Sequence, residues 1–194
     1  MNFLSLFGRY LVARSGGMVE SPWMMAAVDM GDCFLGTVNP TTLAASGTMQ
    51  ILLSIPVGVA AHVKDMMCNL NQAYSVAISY LSGAWAKTGQ QPVLNLNLAN
   101  YGALKSPKCS LWSGYTGSPT LNPIFTANLP ATVGHENLLS GENEKIIKGG
   151  GAGAPGTFMD YLIVITNTSA SSMTNPFFKL RWVEDVDTTN TAGP

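Results

Sequence analysis

The sequence predicts an all-β chain built as an antiparallel double-sheet sandwich, preceded by a short N-terminal helix or arm. Three observations carry that prediction. Phe178, Leu180 and Trp182 alternate with Lys179 and Arg181, the period of a strand with one buried face. Residues 157–167 hold the apolar, β-branched run Tyr161-Leu162-Ile163-Val164-Ile165, which reads as a second long strand. A Ser/Thr/Asn-rich link at 168–175 joins the two. Two long strands with a polar connection read as the antiparallel end of an all-β domain.

Taken in order, residues 1–31 form the arm, 32–187 the sandwich domain and 188–194 a flexible tail. Phe3, Leu6, Phe7, Tyr10 and Arg14 fall at helical spacing, so a short amphipathic helix that docks on a neighbouring protein is expected, with a membrane surface as the alternative. Arg9 and Arg14 follow the apolar stretch rather than precede it, which is the wrong order for a signal peptide, and the stretch is too short to span a bilayer. Residues 15–31 read as irregular, with Gly16-Gly17 as a hinge and Met24-Met25 in an apolar patch.

Residues 33–38 form a short strand stopped by Asn39-Pro40, and 48–57 a strong strand in which Pro56 marks an edge or a bulge. Residues 60–71 fit either a strand or a helical turn, because His62, Lys64 and Asp65 interleave with apolar side chains. Residues 74–81 place Tyr74, Val76, Ile78 and Tyr80 on one face, and a turn follows at Gly83. Leu94, Leu96 and Leu98 alternate with Asn95 and Asn97, so one face is buried and the other meets water or a partner. Residues 109–115 are a further strand. Residues 117–130, with Pro119, Pro123 and Pro130, read as a long ordered loop. A short strand at 144–148 is followed by a glycine-rich stretch at 149–156. About eight strands separated by Gly/Pro/Asn turns suit a sandwich, of which the eight-stranded jelly roll is one solution.

Hydrophobic residues make up 46% of the 194 and charged residues only 11%, against about 25% charged in ordinary soluble domains. The scarcity is uneven. No Asp, Glu, Lys or Arg lies between Asp32 and Lys64, nor between Lys108 and Glu136. A surface poor in charge suits contact with neighbouring subunits; a secreted or glycan-facing β-domain is the alternative. With a net charge of −1 and no basic block, specific nucleic-acid binding is not expected. Cys33, Cys68 and Cys109 are far apart and odd in number, without metal-ligand spacing; they read as small buried hydrophobes, with one disulfide possible.

No catalytic, cofactor-binding or metal-binding set stands out. In Lys148-Gly149-Gly150-Gly151 the lysine precedes the glycines and a strand follows, whereas a phosphate loop ends in Gly-Lys-Ser/Thr and opens a helix. His62 and His135 lack a nucleophile elbow. Glu142 and Glu144 read as solvated loop charge rather than a glycosidase pair. Asp160, Asp185 and Asp187 are too loosely placed for a calcium site. Among Trp23, Trp85, Trp112 and Trp182, Trp182 reads as core, while Trp85 and Trp112, near glycine turns, could be exposed contacts for a glycan. Asn167-Thr168-Ser169 matches a glycosylation acceptor by chance.

Tyr161–Thr168 and Phe177-Phe178-Lys179-Leu180-Arg181-Trp182 resemble the closing hairpin of jelly-roll virion proteins of bacteriophages and other icosahedral viruses. Low charge, Ser/Thr/Asn links and long Gly/Pro loops extend the resemblance loosely over the rest of the chain. It implies a non-enzymatic virion structural protein, a capsid or capsid-decoration (cement) subunit without a cofactor. Its partners would be identical subunits, as a trimer or larger homo-oligomer, and other virion proteins. The missing basic arm departs from RNA-packaging capsid proteins and points to a decoration role or a shell whose genome is held otherwise. The alternative is a tail-fibre or lectin-like glycan-binding module.

Overall fold

The computed structural model describes residues 31–97, 104–131, 136–139, 145–148 and 158–186. All the regular structure among them is strand, with no helix. In chain order the strands are β1 Cys33–Val38, β2 Thr42–Leu43, β3 Thr48–Pro56, β4 Val59–Asn69, β5 Tyr74–Ser82, β6 Trp85–Gln91 and β7 Val93–Asn95. They continue as β8 Ser110–Gly117, β9 Thr120–Leu129, β10 Glu136–Leu139, β11 Lys145–Lys148, β12 Phe158–Asn167, β13 Met173–Thr174 and β14 Phe177–Val186. The N-terminal helix and the tail lie outside the described residues. So do Trp23, His135, Glu142, Glu144, Asp187 and the glycine stretch.

Two antiparallel sheets face each other in a sandwich-like arrangement. The first runs β10-β4-β14-β1-β7, with β11 also on β4; the second runs β6-β8-β3-β12-β5-β9. The pairing is nested. β1 pairs with the last strand, β14; β3 pairs with β12; β4 pairs with β10 and β11; β5 pairs with β9. Each pair encloses the next along the chain. A small β13-β2 ribbon covers one end.

The period-2 patterns decide which side chains meet. From the first sheet, Phe34, Val63, Met66, Phe178, Leu180 and Trp182 turn inward; from the second come Ile51, Leu53, Ile55, Tyr74, Val76, Leu111, Ile163 and Ile165. Phe178, Leu180 and Trp182 are fully buried, as the alternation predicts. The Trp182 ring lies 6.2 Å from that of Phe34. Gly36 leaves the space this packing needs: a Cβ there would stand 2.6 Å from Leu111 Cδ2, which reaches across from the other sheet. All three cysteines are buried and none is in a disulfide, with Cys68 Sγ 3.1 Å from the Tyr74 hydroxyl.

Several expectations are corrected. β12 and β14 do not form a hairpin; they sit in opposite sheets, and the polar link at 168–175 crosses between them. Asn167 makes that crossing possible. Its fully buried amide donates to the carbonyls of Ala44 (3.0 Å) and Ser171 (2.8 Å) and accepts from Ser169 N, so backbone groups that leave both ladders still find partners. That burial also leaves it no room to act as a glycan acceptor. Residues 60–71 resolve as strand β4. Pro56 does take an edge position, though at the end of an internal strand: it faces Phe158 on one side and lies beyond the Leu52–Ser54 stretch that pairs with β8 on the other.

Residues 117–130 are not a loop, because Thr120–Leu129 pairs with β5 along its whole length, with an irregularity beside Ile78 and Pro123. Residues 85–91, unassigned from sequence, form β6. In β7 it is the asparagine side that is buried. Asn95 is 9% exposed and donates to the carbonyls of Gly31 and Lys105, both at 2.9 Å, while Leu94 is 61% exposed.

Candidate self-association surface

The low charge of the sequence is most marked in the second sheet, although β1 and β7 of the first are also uncharged. β3, β5, β8 and β9 contain no Asp, Glu, Lys or Arg; β6 contributes Lys87 and β12 contributes Asp160. In the first sheet, β4 and β14 alone carry Lys64, Asp65, Lys179, Arg181, Glu184 and Asp185. Arg181 and Asp65 pair there across the β14–β4 ladder.

The two charges of the second sheet neutralise each other. Lys87 Nζ lies 3.1 Å from Asp160 Oδ1 and also donates to Ser54 Oγ, while Trp85 Nε1 donates to Asp160 Oδ2 at 2.8 Å. Asp160 is nearly enclosed, its side chain 3% accessible against 21% for Lys87.

This contact reveals the shape of the sheet. In strand order β6 stands three places from β12, about 14 Å away on a flat sheet. A 2.8 Å bond between them requires the sheet to fold over itself. The register shows how. Ser82 pairs with Thr120 in the β5–β9 ribbon, and Trp85 pairs with Gly117 in β6–β8, so the two ribbons are one ribbon bent at residues 83–84 and 118–119. Gly83 (φ +98°) and Gly117 (φ +104°) take up the bend, in a region open to glycine and strained for other residues. The folded half covers the outer face of the sheet, where Trp85, Trp112 and Tyr115 pack on Leu52, Leu81 and Leu162.

Trp85 and Trp112 are thus half-buried, and their ring N–H groups are used, Trp85 on Asp160 and Trp112 on Ser110 Oγ at 2.9 Å. Trp182 is core. Asp160 and Asp185 belong to opposite sheets. His62 lies half-buried on β4. Among the described residues no three of His, Cys, Asp and Glu gather. A cleft of about 600 Å³ opens beside β3, lined by uncharged groups that include Asn39, Thr42, Gln50, Gln91 and Ser113.

At the end of the strand order opposite β6, β9 is the last strand among the described residues. Leu121 (46%), Ile124 (56%) and Phe125 (41%) are large, apolar and exposed along it. Pairing assigns its faces: Ala127 and Leu129 stand beside Val76 and Tyr74 toward the core, while Thr126 and Asn128 stand beside Ala77 and Ser75 on the outer face. That face holds uncharged side chains of small and moderate size. Exposed edge strands in soluble proteins are usually protected by charge or covered, and β9 has only Pro123 at its irregularity.

Sequence reasoning missed β9 because three prolines outweighed Ile124-Phe125-Thr126, a β-favouring run; a proline at a sheet edge is compatible with a strand. It also missed Glu184, which ties β14 to the start of β8. Its Oε2 accepts from Lys108 N at 2.9 Å, and its Oε1 accepts from Cys109 N at 2.9 Å and from Trp182 Nε1 at 3.1 Å. Burial, with Glu184 beside it, pushes the Cys109 thiol well above its ordinary value of 9.0. Comparison with protein-family models, curated proteins and solved structures finds no match.

Proposed function

We propose that this protein is a non-enzymatic structural subunit of a virion shell, a capsid or capsid-decoration protein on a jelly-roll scaffold. The observation that carries the reading is the partition of charge: among the described residues the strands of one sheet carry two charges, locked to each other, leaving an outer surface and an edge with no net field. Desolvating such a surface against a neighbour costs little, because no unpaired charge has to be buried. The jelly-roll reading draws on the nested pairing of β1 with β14, β3 with β12, β4 with β10 and β11, and β5 with β9. This is the order produced when an antiparallel ribbon wraps into two Greek-key sheets. Function on this reading is geometric: copies bury surface against one another, as a trimer or larger assembly, and against other virion proteins.

Absolute mass by light scattering over a roughly hundredfold dilution tests it. A mass of three or more copies that persists on dilution is expected. A monomer at every concentration would refute self-assembly.

A second reading, a tail-fibre or lectin-like glycan-binding module, draws on the cleft beside β3, whose amides and hydroxyls suit a neutral sugar. Retention on a polysaccharide column that is lost on Gln91→Ala would favour it over the first.

A further inference from the structure

We infer that the free edge of β9 is where two copies of this chain join, antiparallel and about a twofold axis beside Ile124, so that the second sheet continues from one subunit into the next. The inference rests on the self-association reading and adds its partner surface and its geometry.

Among the described residues β9 pairs with β5 alone, so its other edge presents a row of backbone N–H and C=O groups that another strand can satisfy. The occupant must be uncharged where it meets β9, since a ten-residue strand with Leu121, Ile124 and Phe125 exposed offers nothing for a charge to pair with. A second β9 meets this requirement. The whole stretch between Lys108 and Glu136 lacks Asp, Glu, Lys and Arg, so no like charges oppose each other when the strand pairs with its own copy.

Twofold symmetry makes the contact isologous and closed at two copies, so the trimer or larger assembly of the shell reading needs a second contact elsewhere, and an axis perpendicular to the strand makes the pairing antiparallel. Centred on Ile124, it places Leu121 opposite Ala127 and Pro123 opposite Phe125 of the other copy. The three exposed apolar side chains then lie within three residues of the axis. The nine residues Thr120–Asn128 paired in this way form up to about ten backbone hydrogen bonds, the number carried by a typical protein interface.

Two variants test this alongside the wild type. Ile124→Cys introduces the only exposed thiol among the described residues, because Cys33, Cys68 and Cys109 are buried. Under copper–phenanthroline oxidation it should give a covalent dimer. The control Ala45→Cys, exposed on the β2–β3 turn, should not. Leu121→Lys/Phe125→Lys sets like charges near the axis and removes buried apolar area. Dissociation should move to concentrations on the order of a hundredfold higher, with the far-ultraviolet circular dichroism of the wild type retained. If the lysine variant keeps the wild-type mass on dilution, or Ile124→Cys crosslinks no faster than Ala45→Cys, the β9 axis is refuted while the shell reading stands. If the wild type itself is a monomer throughout, both fall.

Discussion

Replacing Lys87 with methionine should destabilise the fold by about 3 kcal/mol. The change keeps most of the apolar stem and removes the ammonium 3.1 Å from Asp160 Oδ1. Asp160, 3% accessible, then keeps Trp85 N–H on Oδ2 as a donor and loses its countercharge. Removing one partner of a buried ion pair costs about 3–5 kcal/mol; the partial exposure of Lys87, 21%, places this pair at the lower end. For a domain of this size each kcal/mol shifts Tm by about 2–4 °C, so a fall of roughly 6–12 °C is expected. Urea unfolding should show a lower midpoint with an unchanged slope. Asp160→Asn should cost less, since an amide oxygen still accepts from Trp85 and Lys87 can turn to water. The double variant Lys87→Met/Asp160→Leu should recover most of the loss, because apolar replacement of a whole buried pair is often close to neutral. A loss under about 1 kcal/mol for Lys87→Met would refute the argument that this pair holds the folded ribbon down.

Three further outcomes follow from the same geometry. Cys109 should resist iodoacetamide in the native protein and react on unfolding. Its thiol keeps its proton in the fold to higher pH than in the unfolded chain, so its contribution is fully present below pH 9.0 and is lost as pH rises above it; Cys109→Ala should flatten the alkaline fall in urea midpoint. Gly117→Ala should cost about 1–3 kcal/mol, because φ is +104° and the new Cβ would stand 3.0 Å from Ala84 O; Gly58→Ala, at φ +78° with nothing within 4 Å, should cost less in the same thermal melt. Asn167→Ala should cost about 2–3 kcal/mol by leaving buried carbonyls without donors. Asn167→Asp should be worse still, since it turns a carboxylate toward Ala44 O and Ser171 O.

The fold class was legible because alternation is a local signal. Phe178, Leu180 and Trp182, and Tyr74, Val76 and Ile78, face the core as their spacing requires. Which strands meet is not local. The polar link at 168–175 looked like a hairpin connection, and nothing in its composition distinguishes a turn within one sheet from a crossing between two. The leucine stripe at 94–98 shows a second limit. Hydrophobicity argues for burying Leu94, yet Asn95 is the buried member because Gly31, far away in the chain, and Lys105, ten residues on, supply acceptors from outside the strand. The surface was half legible. Charge-free stretches were visible as stretches, but that β3, β8 and β9 from them share one sheet with β5, and that Lys87 cancels Asp160 there, needed the strand order.

The nested pairing sets the order in which the chain can close. Gln91 meets Leu111 across a short span and Cys33 meets Val183 across nearly the whole domain. Enclosed length grows by about three doublings between these pairs, which adds only roughly 2 kcal/mol of loop entropy. The thermodynamic burden of the wrapping is therefore slight, and its effect falls on time, because distant pairings form slowly. β14 is the clearest case. It fills the gap between β1 and β4, so until this last strand arrives both neighbours keep an open flank and the core between the sheets stays unsealed on that side. A chain emerging during synthesis would finish its first sheet only after its second was in place.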